Sequence, residues 1–326
     1  MTSGAARTGL VLLAMGGPGS VAEIRDYLHR LFQDPMLIRL PGGQLFRRPL
    51  ASYVSRRRAA IVAERYQQIG GGSPLLAETS RLRDLVAARL DAPVAIGMRY
   101  SAPFADDAVA ALRKAGISRA VAIPLYPQFS TSTSGSSLAD AARAVGGAFA
   151  LAGVTDHHVH PGYLAAMASR IEEAVGSLQS RNMGHILFTA HSIPVSLTRK
   201  GDPYVAQVKA TVEGVTAILR SKGIELPSSL AFQSRVRFGT WHGPDVADVV
   251  SELAANGTRR LVVAPVSFVS ENLETRYDLD IELREICCDE GYVEFQRAGT
   301  LSDSPLYAGA LAELARAAAV KSWGEW

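Results

Sequence analysis

The sequence predicts an α/β protein of two similar doubly wound, Rossmann-like domains, each a parallel sheet flanked by helices, facing one another across a cleft. Three observations carry this expectation. Short apolar runs alternate with longer amphipathic ones along all 326 residues. The chain also repeats itself: the run at 10–15 with its Gly16-Gly17-Pro18 loop corresponds to the run at 186–190 with His191-Ser192-Ile193-Pro194. Likewise Ala122-Ile123-Pro124-Leu125-Tyr126 corresponds to Val263-Ala264-Pro265-Val266-Ser267.

Taken in order, the strands are expected at 10–15, 94–98, 119–126, 185–190, 230–234 and 260–267. Helical patterns lie between them, the first at 21–32. The boundary falls within 154–163, giving halves of 1–158 and 159–326. In the second half a helix is expected at 203–220. Asp202 can cap it, Pro203 suits its first turn, and Val205, Val208, Val212 and Val215 form a stripe. A further helix runs from Glu271 onward, and a closing helix at 305–321 packs back over the fold.

Apolar residues make up 48% and charged residues 20%, an ordinary soluble composition. A net charge of +3 with no long basic block argues against nucleic acid as a partner. Arg47-Arg48 and Arg56-Arg57-Arg58 are local clusters suited to one anionic ligand or surface. The two cysteines, Cys287 and Cys288, are sequence neighbours, so no disulfide framework is expected and a reducing, cytoplasmic setting follows. No stretch approaches the ~20 apolar residues that span a bilayer.

Two segments carry the chemistry. His191 follows one buried-type strand and Glu274 lies beyond another, so an imidazole and a carboxylate reach the carboxyl ends of strands, where parallel sheets place ligands. They suit sharing a divalent ion, or dividing base and ligand roles; a structural histidine is the bland alternative. On the helix from Glu271, Leu273, Tyr277 and Ile281 share one stripe, and Glu274, Asp278 and Glu282 form an acidic stripe beside it. Such a row repels itself unless cations visit it or Arg276 and Arg284 neutralise it. Gly16-Gly17-Pro18 lacks the spacing of a nucleotide loop, and Gly70-Gly71-Gly72 reads as a sharp turn. The hydroxyl-rich run from Tyr126 through Ser130 to Ser137 sits at a strand end, a ligand-facing position.

The chain resembles the ferrochelatases, which insert ferrous iron into a porphyrin at the end of haem synthesis. The resemblance runs from Leu10 to about Ala319. It rests on Met15-Gly-Gly-Pro18, Leu31-Phe-Gln-Asp-Pro35, Ile69-Gly-Gly-Gly-Ser-Pro74, Met98-Arg-Tyr100 and Tyr126-Pro-Gln-Phe-Ser130, and on His191-Ser-Ile-Pro194, Gly201-Asp-Pro-Tyr204, Phe232-Gln-Ser-Arg235 and the Glu274 helix.

The resemblance implies that His191 and Glu274 are the catalytic pair on the two sides of the porphyrin and the groups that meet the metal. It leaves open which is base and which is metal donor. It implies that Asp278 and Glu282 lead hydrated metal inward, that Met15 packs near the ring, and that Arg57, Arg58, Tyr66 and Ser73 contact the propionates. Tyr126 and Ser130 join the porphyrin contacts. The segment 35–54, with Leu37, Ile38, Leu40, Leu45, Phe46, Leu50 and Tyr53, resembles the apolar lip with which some members meet the membrane; an ordinary helix pair is the alternative. The partners expected are thus a porphyrin, ferrous iron and, through the lip, a membrane surface.

The departures are informative. Some relatives hold a two-iron two-sulfur cluster through a cysteine where Thr131 stands and through a C-terminal extension, so no cluster is expected and no cofactor beyond the substrate Fe²⁺. Asn272 replaces a common histidine and cannot take its proton. Ser101 stands where a larger residue is common, which suggests a looser wall. His242 offers either a second metal ligand or a surface histidine. The first-strand loop lacks the tyrosine of the coproporphyrin branch, which favours protoporphyrin IX. The alternatives are coproporphyrin III as substrate, a cobalt or nickel tetrapyrrole chelatase, and a porphyrin carrier, which would have no use for a base opposite a carboxylate.

Overall fold

The computed structural model describes residues 7–37, 44–180, 183–234 and 239–326. In chain order the elements are β1 (Thr8–Ala14), α1 (Ile24–Gln33), α2 (Gln44–Gln68), α3 (Leu75–Leu90), β2 (Val94–Met98), α4 (Ala105–Lys114), β3 (Arg119–Pro124), α5 (Ser136–Val145) and β4 (Ala150–Gly153). There follow α6 (Pro161–Gly176), β5 (His185–His191), α7 (Val195–Thr198), α8 (Tyr204–Ser221), β6 (Ser228–Gln233), α9 (Val246–Ala255), β7 (Arg260–Pro265), α10 (Arg284–Asp289), β8 (Glu294–Arg297) and α11 (Pro305–Trp323). A π-helical turn, Thr131–Gly135, leads into α5, and a π-helix, Glu274–Leu283, leads into α10.

The strands form two four-stranded sheets ordered β2-β1-β3-β4 and β6-β5-β7-β8, with every pairing parallel. The internal repeat read from the sequence is therefore a repeat of topology. The chain divides into two units. One takes the chain up to His157 together with Ser302–Trp326, and the other is His158–Leu301.

In the first unit β1 is buried from end to end, as a central parallel strand must be. Val11 and Leu13 pack with residues of α4 and α5, including Val109, Leu112, Ala141 and Val145. Strand alternation turns Leu10 and Leu12 to the opposite face, where α3 and α11 cover the sheet. In the second unit Leu187, Leu261 and Val263 pack with Val249 and Val250 of α9 and with Leu279 and Leu283 of the π-helix. Burying an apolar side chain of this size contributes about 1.5–3 kcal/mol, so these layers fix the sheet edges that carry the site.

Three expectations are adjusted. The edge strands β4 and β8, Ala-Leu-Ala-Gly and Glu-Phe-Gln-Arg, are four residues each and carry no apolar run to reveal them. The closing helix α11 groups with the first unit rather than with residues 159–301, because Tyr307, Leu311, Ala315 and Ala319 form a buried face that packs on α3 and β3. In α8 the buried stripe is Tyr204, Val208, Thr211, Val215 and Leu219, which leaves Val205 and Val212 half-buried. Thr211 is tolerated there because its hydroxyl donates to the carbonyls of Gln207 and His158.

Candidate active site

The carboxyl edge of the second sheet holds His191, the last residue of central strand β5. The register sets it beside Gln233, the last residue of β6. On the other side its backbone N–H donates to Ser267 Oγ at 3.2 Å, just past β7. The His191 Nδ1 atom lies 2.6 Å from the Ser192 carbonyl oxygen. A carbonyl can only accept, so Nδ1 carries the hydrogen and Nε2 keeps a free lone pair.

The segment after His191 is pinned by its neighbours. The Ser192 N–H donates to the Gln233 carbonyl at 2.9 Å, and the Ser192 hydroxyl to the His242 carbonyl at 2.7 Å. His242 is half-buried, with Nε2 2.8 Å from the Thr198 hydroxyl, and burial followed by the charge of Lys209 lowers its pKa. It therefore supports the His191 loop from a half-buried position and is not the surface histidine expected. Tyr204, from the Gly201-Asp-Pro-Tyr204 motif, is buried against this point. Burial pushes its hydroxyl up to about 12, while hydrogen bonds to Ser267 and the His191 backbone pull it back.

Glu274 opens the π-helix that follows β7. A π-helix closes i→i+5 hydrogen bonds and takes more residues per turn than an α-helix, so fourth neighbours stack more directly above one another. Thr275, Leu279 and Leu283 accordingly form a straight buried seam. Beside it, Glu274 and Asp278 are half-buried and Glu282 is exposed, so the acidic stripe climbs from the protein interior toward solvent. Asp278 accepts a hydrogen bond from Ser234 Oγ at 2.9 Å, and Ser234 has a φ of +63°, unusual for a residue with a side chain. Asn272 caps the start of the helix, its Oδ1 accepting from the Thr275 N–H at 2.9 Å.

The arginines expected to neutralise the stripe are engaged elsewhere. Arg276 pairs with Glu271, and Arg284 lies over the Phe295 ring and donates to the Asp280 carbonyl. Among the described residues, the Glu274 side chain makes no hydrogen bond or ion pair. Among them, too, no three His, Cys, Asp or Glu side chains gather as a metal-holding cluster. The donors are thus one imidazole and a row of carboxylates.

In the first unit, Met15, Tyr66 and Ser73 come together around the Gly16-Gly17-Pro18 loop. A Cβ on Gly17 would sit 2.4 Å from Ser73 Oγ, and the Tyr66 hydroxyl is also close, at 3.7 Å. Gly16, with φ +84°, would place a Cβ 2.3 Å from Ser101 Oγ. Ser101 is buried and accepts from the Gly17 N–H, so its small size reflects the close approach of that loop rather than a loose wall. Met15 and Ser73 are half-buried and Tyr66 is buried.

Arg57 and Arg58 are exposed on α2, stacked over Tyr53 and Phe32 at 5.4 and 5.9 Å. Ser130 is buried and caps the first π-turn through the Ser132 N–H, so its hydroxyl already has a structural task. Burial raises the Tyr126 phenol, against a hydrogen bond to Ser137 and the charge of Arg99.

Of the lip, Ile38 and Leu40 and the Leu45 side chain lie outside the described residues, as does Arg235. Phe46 is 65% exposed, Tyr53 58% and Ile61 60%, while α1 packs along the same helix.

The sequence reading also passed over Asp34, where three of its motifs meet. This buried carboxylate accepts from the Tyr100 hydroxyl at 2.7 Å and from Ser136, and it pairs with Arg99 at 3.0 Å. Burial raises its pKa, but those bonds, the Met36 N–H and Arg99 outweigh it and hold the carboxyl below its ordinary range.

The family model described as Ferrochelatase matches residues 7–319. A curated ferrochelatase of Synechococcus sp. (strain RCC307) is 40% identical over 319 residues, covering 94% of this chain and 81% of that protein. One from Gloeobacter violaceus is 40% identical over 320 residues, covering 95% and 97%. Among solved structures, SirB from Bacillus subtilis with Fe³⁺ superposes with a TM-score of 0.58 at 12% identity, covering 97% of each chain. CbiX, described as the terminal enzyme of siroheme biosynthesis in denitrifying bacteria, gives 0.52 at 15% identity, covering 95% and 99%. At such identities these two speak for the fold alone.

Proposed function

The chain belongs to the ferrochelatase family, and we propose that protoporphyrin IX is its porphyrin, with His191 and Glu274 carrying the reaction. The enzyme inserts Fe²⁺ into a porphyrin for haem synthesis, a lyase reaction that releases two protons. Two positive charges enter the macrocycle and two leave, so a productive site must take up protons while it gives up metal. A group of each kind meets that need.

The observation that carries the assignment of His191 is its Nδ1–H bond to the Ser192 carbonyl. It fixes the tautomer whose Nε2 accepts a pyrrole proton, and the same carbonyl then steadies the imidazolium. With Asn272 occupied as a helix cap and unable to titrate, the proton work falls on His191. Glu274, with Asp278 and Glu282 behind it, takes the metal role: carboxylate oxygens suit a hydrated divalent ion and release it readily. Met15, Arg57, Arg58, Tyr66, Ser73, Tyr126 and Ser130 are proposed as porphyrin contacts. No cofactor beyond the substrate iron is proposed, since Thr131 stands where cluster-bearing relatives have cysteine.

The choice of protoporphyrin rests on charge. Coproporphyrin carries four propionates, and each buried, unpaired carboxylate is costly. Arg56, Arg57 and Arg58 lie on one helix beside exposed Tyr53 and Ile61, a setting for two propionates at one edge and apolar vinyl groups at another. The same exposed row with Phe46 is proposed to touch the membrane surface from which a greasy porphyrin arrives; loss of vesicle binding on Phe46→Ser with Tyr53→Ser is the check. Among the described residues, no helix is long and apolar enough to cross a membrane. Competition of the two porphyrins in one anaerobic assay with Fe²⁺ tests the substrate: a clear preference for coproporphyrin III overturns it.

A further inference from the structure

The π-helix is held from behind by one guanidinium. Arg297, the last residue of edge strand β8, donates through Nε to Asp280 at 2.6 Å and through Nη2 to the other Asp280 oxygen at 2.9 Å. The same Nη2 reaches both oxygens of Glu271, at 3.0 and 3.1 Å. Glu271 lies just before Glu274 in the chain, and Asp280 lies well inside the helix. Arg297 and Glu271 have side-chain exposures of only 9% and 10%. Burial works against the charge on Arg297, but the two carboxylates outweigh it and raise its pKa.

The anchor is reinforced around Glu271. The Thr275 hydroxyl donates to Glu271 at 2.8 Å, the Thr300 hydroxyl reaches it at 3.4 Å, and Arg276 pairs with it at 3.1 Å. Between its two tethers the chain carries Glu274 and Asp278. A helix in i→i+5 register is uncommon and does not persist by backbone preference alone. The carboxylates on this side of the helix, Glu271 and Asp280, are thus neutralised in place by Arg297 and Arg276.

We propose that Arg297 is a positioning residue for the acidic stripe: by binding Glu271 and Asp280 together it holds the π-register that lines up Glu274 with Asp278. The proposal rests on the reading of that stripe as the metal route. It assigns Arg297 no contact with porphyrin or iron. A lysine at this position keeps the charge but lacks the planar fork that engages two carboxylates at once.

The test uses the full chain with Arg297→Lys and, as a milder cut of one arm, Asp280→Asn. Both are expected to raise the apparent KM for Fe²⁺ by about ten-fold, the scale of one charge-assisted hydrogen bond, with KM for porphyrin unchanged. Amide hydrogen exchange across Glu274–Leu283 should quicken by a similar factor, with β5 and β7 unaffected. An unchanged iron KM in both variants overturns the proposal, as does a parallel rise for iron and porphyrin with exchange quickening throughout the unit. Asp278→Asn with Glu282→Gln is run alongside. If that pair leaves the iron KM alone, the stripe reading fails on its own account, and exchange in the π-helix of Arg297→Lys still decides whether the clamp holds the register.

Discussion

Ser234 Oγ donates to Asp278 Oδ2 at 2.9 Å, so the residue that follows β6 supports the middle carboxylate of a helix that follows β7. Its neighbour Gln233 sits opposite His191 in the register. The end of β6 thus pairs through its backbone with the strand that carries His191 and, one residue on, supports the acidic row.

His191→Ala should lower turnover by ~10² or more, the usual scale of a positioned acid–base group, while porphyrin affinity stays within several-fold. Fluorescence titration of porphyrin beside anaerobic steady-state rates makes the comparison. A variant that keeps most of its turnover removes the role given to Nε2.

Neutralising Asp278 and Glu282 together should raise the apparent KM for Fe²⁺ and leave that for porphyrin alone. Ser234→Gly accommodates the positive φ and removes the hydroxymethyl group with its hydrogen bond to Asp278, so it should show a weaker form of the same split. Equal changes in both constants would mark the row as structural.

The Gln233 side chain is buried at 5% exposure, and neither of its amide atoms has a hydrogen-bond partner among the described residues. An unpaired buried amide costs about 1–3 kcal/mol. Gln233→Met should therefore raise the melting temperature. If the amide serves the reaction beside His191, kcat falls in the same variant; a stabler enzyme with undiminished kcat shows that it does not.

Acid should weaken the second unit at mildly low pH. His185 is buried with Nε2 3.0 Å from Ser229 Oγ, and burial lowers its pKa below the usual histidine value. The unfolded chain takes up a proton near pH ~6.5 that the folded chain refuses, so stability is full above that value. It declines as pH falls toward the depressed folded value, by at most about 1.4 kcal/mol per pH unit for each such group. His242 acts in the same direction. Denaturant melts of His185→Gln between pH 7.5 and 5 should show a shallower decline; an unchanged slope rejects the assignment.

The strands and strand ends were legible because central parallel strands must be apolar throughout, which makes runs such as Leu-Val-Val-Ala plain, and because ligand residues follow them. The spacing of Glu274, Asp278 and Glu282 was legible too, but not the helix type. Leu273, Tyr277 and Ile281 form one stripe at four-residue spacing, but Thr275, Leu279 and Leu283 share that spacing, and the buried set is the one whose Leu279 and Leu283 pack with Leu187, Leu261 and Val263 of the sheet. The pairing of Arg297 with Glu271 and Asp280 joins residues on separate elements, which no local pattern announces. Nor does a serine at positive φ differ in sequence from any other serine.

The two pieces of the first unit, separated in sequence by His158–Leu301, have a consequence for synthesis. When β1 to β4 have left the ribosome, the sheet face destined for α11 is still bare, since Tyr307, Leu311 and Ala315 do not yet exist. The second unit, continuous in sequence, can finish folding first. The half that begins translation is the last to close, and until α11 arrives its uncovered apolar face is a target for chaperones and for aggregation.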